Sequence, residues 1–129
     1  MLGIGGSHKL LLPNTAEDLV PLTAGIPLRY EIVEGSHLSG EVYKGTLTKL
    51  SRKVAEAHLD DPVHNLTNIK MHLIGKDGQK IPGTLYGKVL GAVPGSSTGF
   101  SIRFTSVSPE VDALLSKLLI EGAPPVALG

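Results

Sequence analysis

Short runs of alternating apolar and polar residues, each ended by turn residues, constrain the fold of this chain more than any other feature. Alternation with a period of two is typical of half-buried β-strands. The chain also has 16 glycines and 9 prolines among 129 residues, which indicates many turns. Six strands are therefore predicted, at residues 26–33, 42–50, 54–59, 66–74, 80–93 and 99–105.

The alternation also predicts which side chains share a face of the sheet. Three strands have a clear apolar face, formed by Ala55, Ala57 and Leu59, by Ile69, Met71 and Leu73, and by Phe100, Ile102 and Phe104. In the second strand, simple alternation places Leu50 on the same side as Thr46 and Thr48. A turn at Gly75-Lys76-Asp77-Gly78 separates the fourth and fifth strands, because an Asp-Gly pair adopts positive φ readily.

One amphipathic helix is predicted after the last strand. Ser108 is a good N-cap, Pro109 suits the first helical position, and acidic residues follow in the first turn. Gly122 and Pro124-Pro125 end the helix. One face is strongly apolar, with Val111, Leu114, Leu115, Leu118 and Leu119 at helical spacing. This face must cover the sheet or contact a partner.

The predicted fold class is mainly β, a six-stranded antiparallel β-barrel with a C-terminal α-helix that plugs or flanks it. Glycines within the fifth strand, at Gly83, Gly87 and Gly91, predict the bends or bulges of a tightly curled sheet. The domain organisation predicted is a flexible arm at residues 1–25, the barrel and helix at residues 26–121, and a tail at residues 122–129.

Composition excludes several classes of protein. The chain has no cysteine, so disulfide frameworks, thiolate metal sites and a cysteine nucleophile are excluded. Twelve acidic and twelve basic residues leave no net charge to attract nucleic acid, and aromatic residues are scarce. No apolar run is long enough for a membrane span or a secretory signal. We therefore expect a cytoplasmic protein without nucleic-acid binding or membrane insertion.

No catalytic or metal-binding group emerges from the residue spacing, so we predict that the chain is not an enzyme. The five histidines lie in different predicted elements. His58 and His72 both fall on polar strand faces, where they can be neighbours across a sheet, but no third metal ligand accompanies them. Asp60 and Asp61 precede Pro62 in a turn, where adjacent acids are usually solvated.

One cluster of basic residues is a candidate ligand site. Lys49, Arg52 and Lys53 surround Ser51 at the junction between the second and third strands, and Lys44 extends the cluster. Several cations beside exposed backbone N–H groups can bind a phosphate. The alternative is that these residues are ordinary strand-edge cations that discourage aggregation.

Three segments of the chain resemble the PilZ domain family. They are Pro27-Leu28-Arg29-Tyr30, the strand from Gly45 to Ser51, and the segment from Gly99 to Glu110. The last is the most specific, since a strand Gly-Φ-x-Φ-Arg-Phe (Φ, apolar), a Ser-Pro-Glu link and an amphipathic helix recur at the end of that family. The resemblance covers about residues 17–120. It implies a six-stranded barrel with a C-terminal helix and, as ligand, the second messenger cyclic di-GMP.

Two motifs bind cyclic di-GMP in the family, and this chain departs from both. The first, Arg-x-x-x-Arg before the first strand, aligns near Glu17 and Pro21, and residues 1–28 contain no arginine. The second, Asp/Asn-x-Ser-x-x-Gly, aligns with residues 49–54. Only Ser51 matches it, because Lys49 replaces the acid or amide and Val54 replaces the glycine.

The resemblance and its departures leave two functions open. The first is a PilZ-type module that acts by protein–protein contacts, with a separate partner or the other domains of a parent protein, and binds cyclic di-GMP weakly or not at all. The second is a true cyclic di-GMP receptor with a non-standard site formed by Lys49, Ser51, Arg52 and Lys53. No other cofactor and no metal are predicted.

Overall fold

A computed structural model describes residues 19–121 of the chain. They form seven strands and one helix. In chain order these are β1 (Val20–Glu34), β2 (His37–Leu38), β3 (Tyr43–Leu50), β4 (Val54–Leu59), β5 (Asn68–Leu73), β6 (Leu85–Ala92), β7 (Gly99–Val107) and α1 (Pro109–Glu121). The fourth predicted strand is shortened at both ends, and the predicted arm and tail lie largely outside the described residues.

The strands form one antiparallel sheet that closes on itself. The order around the barrel is β1-β3-β4-β7-β6-β5, and β5 pairs with β1 from Leu28↔Leu73 to Val33↔Asn68 to complete the circle. The two-residue strand β2, which was not predicted, pairs with the end of β1 outside this circle. The predicted six-stranded antiparallel barrel with a C-terminal helix is confirmed.

β1 begins six residues before the predicted start of the first strand. Val20 pairs with Leu50 and Pro21 with Lys49, and a register shift separates these pairs from the continuous ladder that begins at Ile26. The expectation that residues up to 25 form an irregular arm is therefore wrong for 20–25. The β-bulge interrupts the alternation there, which explains why the sequence pattern did not reveal the strand.

The fifth predicted strand is shorter than expected because Pro82 and Gly83 interrupt it. Its earlier part contributes only an isolated bridge between Ile74 and Lys80, and β6 begins at Leu85. The ladder between β6 and β7 shifts register beside Gly87 and beside Gly91, as expected of a tightly curled strand. At Gly87 a Cβ atom would lie 2.6 Å from Ile102 Cγ2, so the close approach of the two strands requires glycine.

The core fills the barrel and includes two residues of the helix. Each strand β1 and β3–β7 contributes buried side chains, among them Leu28, Leu47, Ala57, Met71, Val89 and Ile102. Val111 and Leu115 join the same cluster, and Leu114, Leu118 and Leu119 pack partly buried against it. The Ser108 side-chain oxygen accepts hydrogen bonds from the Val111 amide (3.5 Å) and the Thr84 amide (3.0 Å), which confirms the predicted cap and attaches the helix to the barrel.

The barrel therefore has two different ends. The helix end holds the β3–β4 turn, the start of β6 and the helix, whose Ser116 Oγ lies 3.4 Å from Arg52 Nη1. The loop end holds the connections 35–42, 60–67 and 93–98. The described positions of the ligand motifs implied by the resemblance, Pro21 and residues 49–54, lie at the helix end.

Candidate functional site

The predicted ligand site lies at the β3–β4 turn, and its central residue faces the protein interior. Ser51 is only 4% exposed. Its hydroxyl donates to the Val54 carbonyl oxygen (2.9 Å) and accepts from the amides of Val54 (3.0 Å) and Lys53 (3.3 Å). A hydroxyl has one donor and two acceptor positions, so the turn itself uses all the hydrogen-bonding capacity of Ser51.

The three cations around Ser51 do not converge on one point. Lys49 Nζ lies 3.7 Å from Glu56 Oε1 on the neighbouring strand, so a carboxylate already compensates its charge. Arg52 is directed towards the helix, where Ser116 accepts its hydrogen bond. Lys53 is exposed, and its backbone carbonyl accepts a hydrogen bond from the Phe104 amide (2.8 Å). Two of the three cations therefore contact different protein groups, Lys49 from β3 and Arg52 from the turn.

Pro21 is the one aligned position of the first motif, Arg-x-x-x-Arg, that the structure describes, and it lies beside this turn. The register pairs Pro21 with Lys49, so the place where the resemblance expects the second arginine is next to the second motif. Glu17, the other aligned position, lies outside the described residues. The scaffold therefore brings the two motif positions together, but proline occupies the one that should supply a guanidinium.

The polar strand histidines do not form a metal site. His58 lies on β4, between β3 and β7, whereas His72 lies on β5 and pairs with Arg29 of β1, so the two are not neighbours across the sheet. His58 Nε2 instead lies 3.3 Å from Asp60 Oδ1. Partial burial lowers the pKa of His72, and the nearby Lys80 and Lys70 lower it further. Within residues 19–121 no group of three His, Cys, Asp or Glu side chains is placed to bind a metal ion.

A cleft at the loop end was not predicted from the sequence. It has a volume of about 400 Å³ and lies between the end of β1, the start of β3 and the 60–67 connection. Tyr30 and Tyr43 form its aromatic wall, with ring centroids 5.3 Å apart and planes inclined by 31°. Glu34, Asp61 and His64 supply polar groups. Neither tyrosine was predicted as a site residue, because the cleft depends on how the Asp60-Asp61-Pro62 turn folds over them.

Burial and hydrogen bonds change the pKa values of the two tyrosines in the cleft. Tyr30 is 1% exposed and donates its hydroxyl to the Asp61 carbonyl oxygen (2.8 Å). Burial raises the pKa of Tyr30 to about 12. The Tyr43 hydroxyl donates to the Glu41 carboxylate, and this hydrogen bond, together with the charges of Glu41, Asp61 and Glu34, raises the pKa of Tyr43. The cleft is therefore an electronegative environment.

The architecture defined by these elements is a closed antiparallel barrel capped by a C-terminal helix. This fold is similar to that of the solved PilZ domain of CeSA from a cellulose-synthesizing bacterium, with a TM-score of 0.52 and 16% sequence identity. The match covers 79% of this chain and 94% of that one. The fold is therefore PilZ-like, as the sequence resemblance implied.

Sequence comparisons add nothing to this structural likeness. No family model matches the chain, and no curated protein matches it. Within the described residues, no helix is long and apolar enough to cross a membrane.

Proposed function

We propose that the chain is a regulatory module of the PilZ type that acts through protein contacts and binds cyclic di-GMP weakly or not at all. The partner is a separate protein or another domain of a parent protein. A PilZ-like fold without the arginine clamp of the family is the observation that carries this proposal. The likeness to the CeSA domain supports the regulatory class, and the sequence supports the loss of the usual ligand.

The physical argument for weak nucleotide binding is the loss of guanidinium groups. An arginine binds a phosphate through two parallel charge-assisted hydrogen bonds, each contact contributing on the order of 1.5–3 kcal/mol. Two missing arginines weaken binding by roughly two to four powers of ten. Lys49 does not replace them, because Glu56 compensates its charge and lysine lacks the planar fork.

We further propose a binding role without catalysis, in the cytoplasm and without a cofactor or metal. The hydroxyl at the centre of the candidate site is used within its own turn, so it is not available as an activated nucleophile. Nucleic-acid binding is not expected of a chain with zero net charge and only five aromatic residues.

A non-standard cyclic di-GMP receptor is the alternative function. Arg52 and Lys53 favour it, because both are exposed and neither lies within ion-pair distance of a carboxylate among the described residues. In this alternative, Arg52 leaves Ser116 to bind a phosphate, and Lys49 and Lys53 add positive charge. The Ser51 hydroxyl would have to release a hydrogen bond of its turn to contact the ligand.

Calorimetric titration with cyclic di-GMP distinguishes the two functions. We expect no saturable heat in the micromolar range from the wild-type chain. Arg52→Ala tests the alternative directly, and Lys76→Ala is the matched control, since it also removes an exposed cation from a turn between two strands. A micromolar midpoint that Arg52→Ala abolishes and Lys76→Ala preserves would establish the alternative. Micromolar binding that survives both substitutions would overturn the proposal without supporting the site at Arg52.

A further inference from the structure

Exposed apolar side chains are concentrated at the loop end of the barrel. Five large apolar residues are well exposed in the described part of the chain, and four of them lie at or near this end. These four are Leu38 (40% exposed), Val42 (60%), Leu66 (65%) and Leu90 (41%). A concentration of exposed apolar side chains is a common mark of a protein-binding surface.

Two of these four exposed residues are next to the cleft along the chain. Val42 precedes Tyr43 of the cleft wall, and Leu66 precedes Thr67, which also lines the cleft. Leu66 has a φ of 67°, an uncommon conformation for a leucine. Its amide donates to the Val89 carbonyl oxygen, and the Val89 amide donates to the Thr67 carbonyl oxygen at 2.8 Å. These bonds to β6 hold Leu66 in an outward position at the cleft.

The charge of the loop end is negative. Glu34 and Asp61 line the cleft, and Glu41 and Asp60 lie beside it in the same connections. Residues 30–43, 57–69 and 89–102 contain no lysine or arginine. Along the chain, Arg29 and Lys44 are the cations directly next to the two tyrosines, and Lys44 is exposed on β3. Since the whole chain has a net charge of zero, the acidic loop end is balanced by basic residues elsewhere.

We propose that this cleft is the docking site for an arginine side chain of a partner protein, flanked there by aliphatic residues. A guanidinium group stacks on aromatic rings and binds carboxylates through its planar fork, so Tyr43, Glu34 and Asp61 suit it together. Leu38, Val42 and Leu66 would contact the aliphatic neighbours of that arginine. Arginine is enriched among interface hot spots, and the contacts around a hot spot serve mainly to exclude water from it. This inference rests on the proposed function, because it assumes that the module acts by protein contacts.

Two tripeptides with blocked ends test the docking site by ¹H–¹⁵N NMR titration. Acetyl-Leu-Arg-Leu-amide is the probe, and acetyl-Leu-Glu-Leu-amide is its control of opposite charge. We expect millimolar binding of the arginine peptide, with chemical-shift changes confined to the loop end, at Tyr43, Asp61 and Thr67. The glutamate peptide should leave these resonances unchanged, because the carboxylates of the cleft repel it.

Matched charge variants test the role of the carboxylates. The double variant Glu34→Gln/Asp61→Asn changes exposed side chains and should weaken binding of the arginine peptide between about twofold and thirtyfold. The double variant Glu110→Gln/Asp112→Asn removes the same charge at the helix end and should bind as the wild type does.

A third variant tests the apolar part of the surface without threatening the fold. Leu66→Asn should weaken binding about fivefold, because it removes an apolar contact of the peptide. Asparagine adopts positive φ more readily than leucine, so this variant should be at least as stable as the wild type.

Several results would overturn the docking site. They are shift changes spread over the barrel, equal binding of the two peptides, or full binding by the Glu34→Gln/Asp61→Asn variant. The calorimetric titration with cyclic di-GMP tests the proposed function separately from the docking site. Tight cyclic di-GMP binding beside a positive peptide titration would remove the proposed function and keep the docking site. Negative results in both would remove the docking site alone.

Discussion

Ser51 matches the nucleotide-binding motif of the family, but its surroundings give it a structural role. The residue closes the turn between β3 and β4 with its backbone as well as its side chain, since its amide also donates to the Val54 carbonyl oxygen (2.8 Å). Val54, which stands at the glycine position of the motif, is buried at the first position of β4. The turn is therefore stable without the positive φ that the glycine of the motif permits.

Removal of the Ser51 hydroxyl should destabilise the fold. We expect Ser51→Ala to lower the free energy of unfolding by about 1–3 kcal/mol, because the buried Val54 amide loses its partner. Urea denaturation measures the effect. Ser97→Ala is the control, an exposed serine in the β6–β7 connection, and should change stability by less than about 0.5 kcal/mol. Equal stability of the two variants would show that the hydroxyl does not support the turn.

Tyr30 should make the stability of the protein sensitive to alkaline pH. Its pKa is raised from 10.0 to about 12 in the folded protein, so the unfolded chain loses the proton first. The stabilisation that comes from the protonated Tyr30 hydroxyl is therefore complete below pH 10. It is lost as the pH rises towards 12, by roughly 1.4 kcal/mol per pH unit. Urea denaturation of the wild type and Tyr30→Phe across this range measures it. The wild type should lose stability more steeply, whereas parallel curves would contradict the raised pKa.

At the scale of the element, β3 shows how a bulge changes which residues are buried. The β3–β4 ladder shifts register between Leu47 and Lys49, and Thr48 Oγ1 donates to the Glu56 carbonyl oxygen at 3.1 Å. Beyond the bulge the strand is rotated, so Leu50 is completely buried while Thr46 and Thr48 face outwards. The simple alternation that placed Leu50 with the two threonines is wrong for this reason.

The burial of Leu50 can be measured against an exposed residue near the other end of the same strand. Leu50→Ala should cost about 2–5 kcal/mol of unfolding free energy, because it leaves a cavity among tightly packed side chains. Val42→Ala, at a residue that is 60% exposed, should change stability by less than about 0.5 kcal/mol. A loss below about 1 kcal/mol for Leu50→Ala would indicate that the strand continues past Thr48 without a bulge.

At the scale of the whole molecule, the strand and helix bounds that were predicted correctly are those that depend on a local sequence pattern. β4 has the predicted bounds, and the helix begins at the predicted proline, because alternation and capping act over a few residues. The beginning of β1 and the burial of Leu50 were missed, since both depend on bulges that only pairing with another strand produces. The two-residue β2 is likewise formed by pairing alone.

The two candidate sites also differ in whether the sequence alone could reveal them. The β3–β4 turn was recognisable because its motif is continuous in sequence. The cleft was not, because Tyr30, Tyr43 and Asp61 come together only when the barrel closes and the 60–67 connection folds over it. The inward orientation of the Ser51 hydroxyl also depends on three-dimensional contacts, since spacing alone does not distinguish a serine that binds a ligand from one that closes a turn.

The antiparallel order of the strands places both attachment points of the domain at one pole. β1 begins beside Leu50 at the helix end, and the chain leaves the barrel through α1 at that same end. The chain therefore enters and leaves the described barrel at the end opposite the cleft. Within the described residues, the barrel thus separates the cleft from the two points at which the chain enters and leaves it.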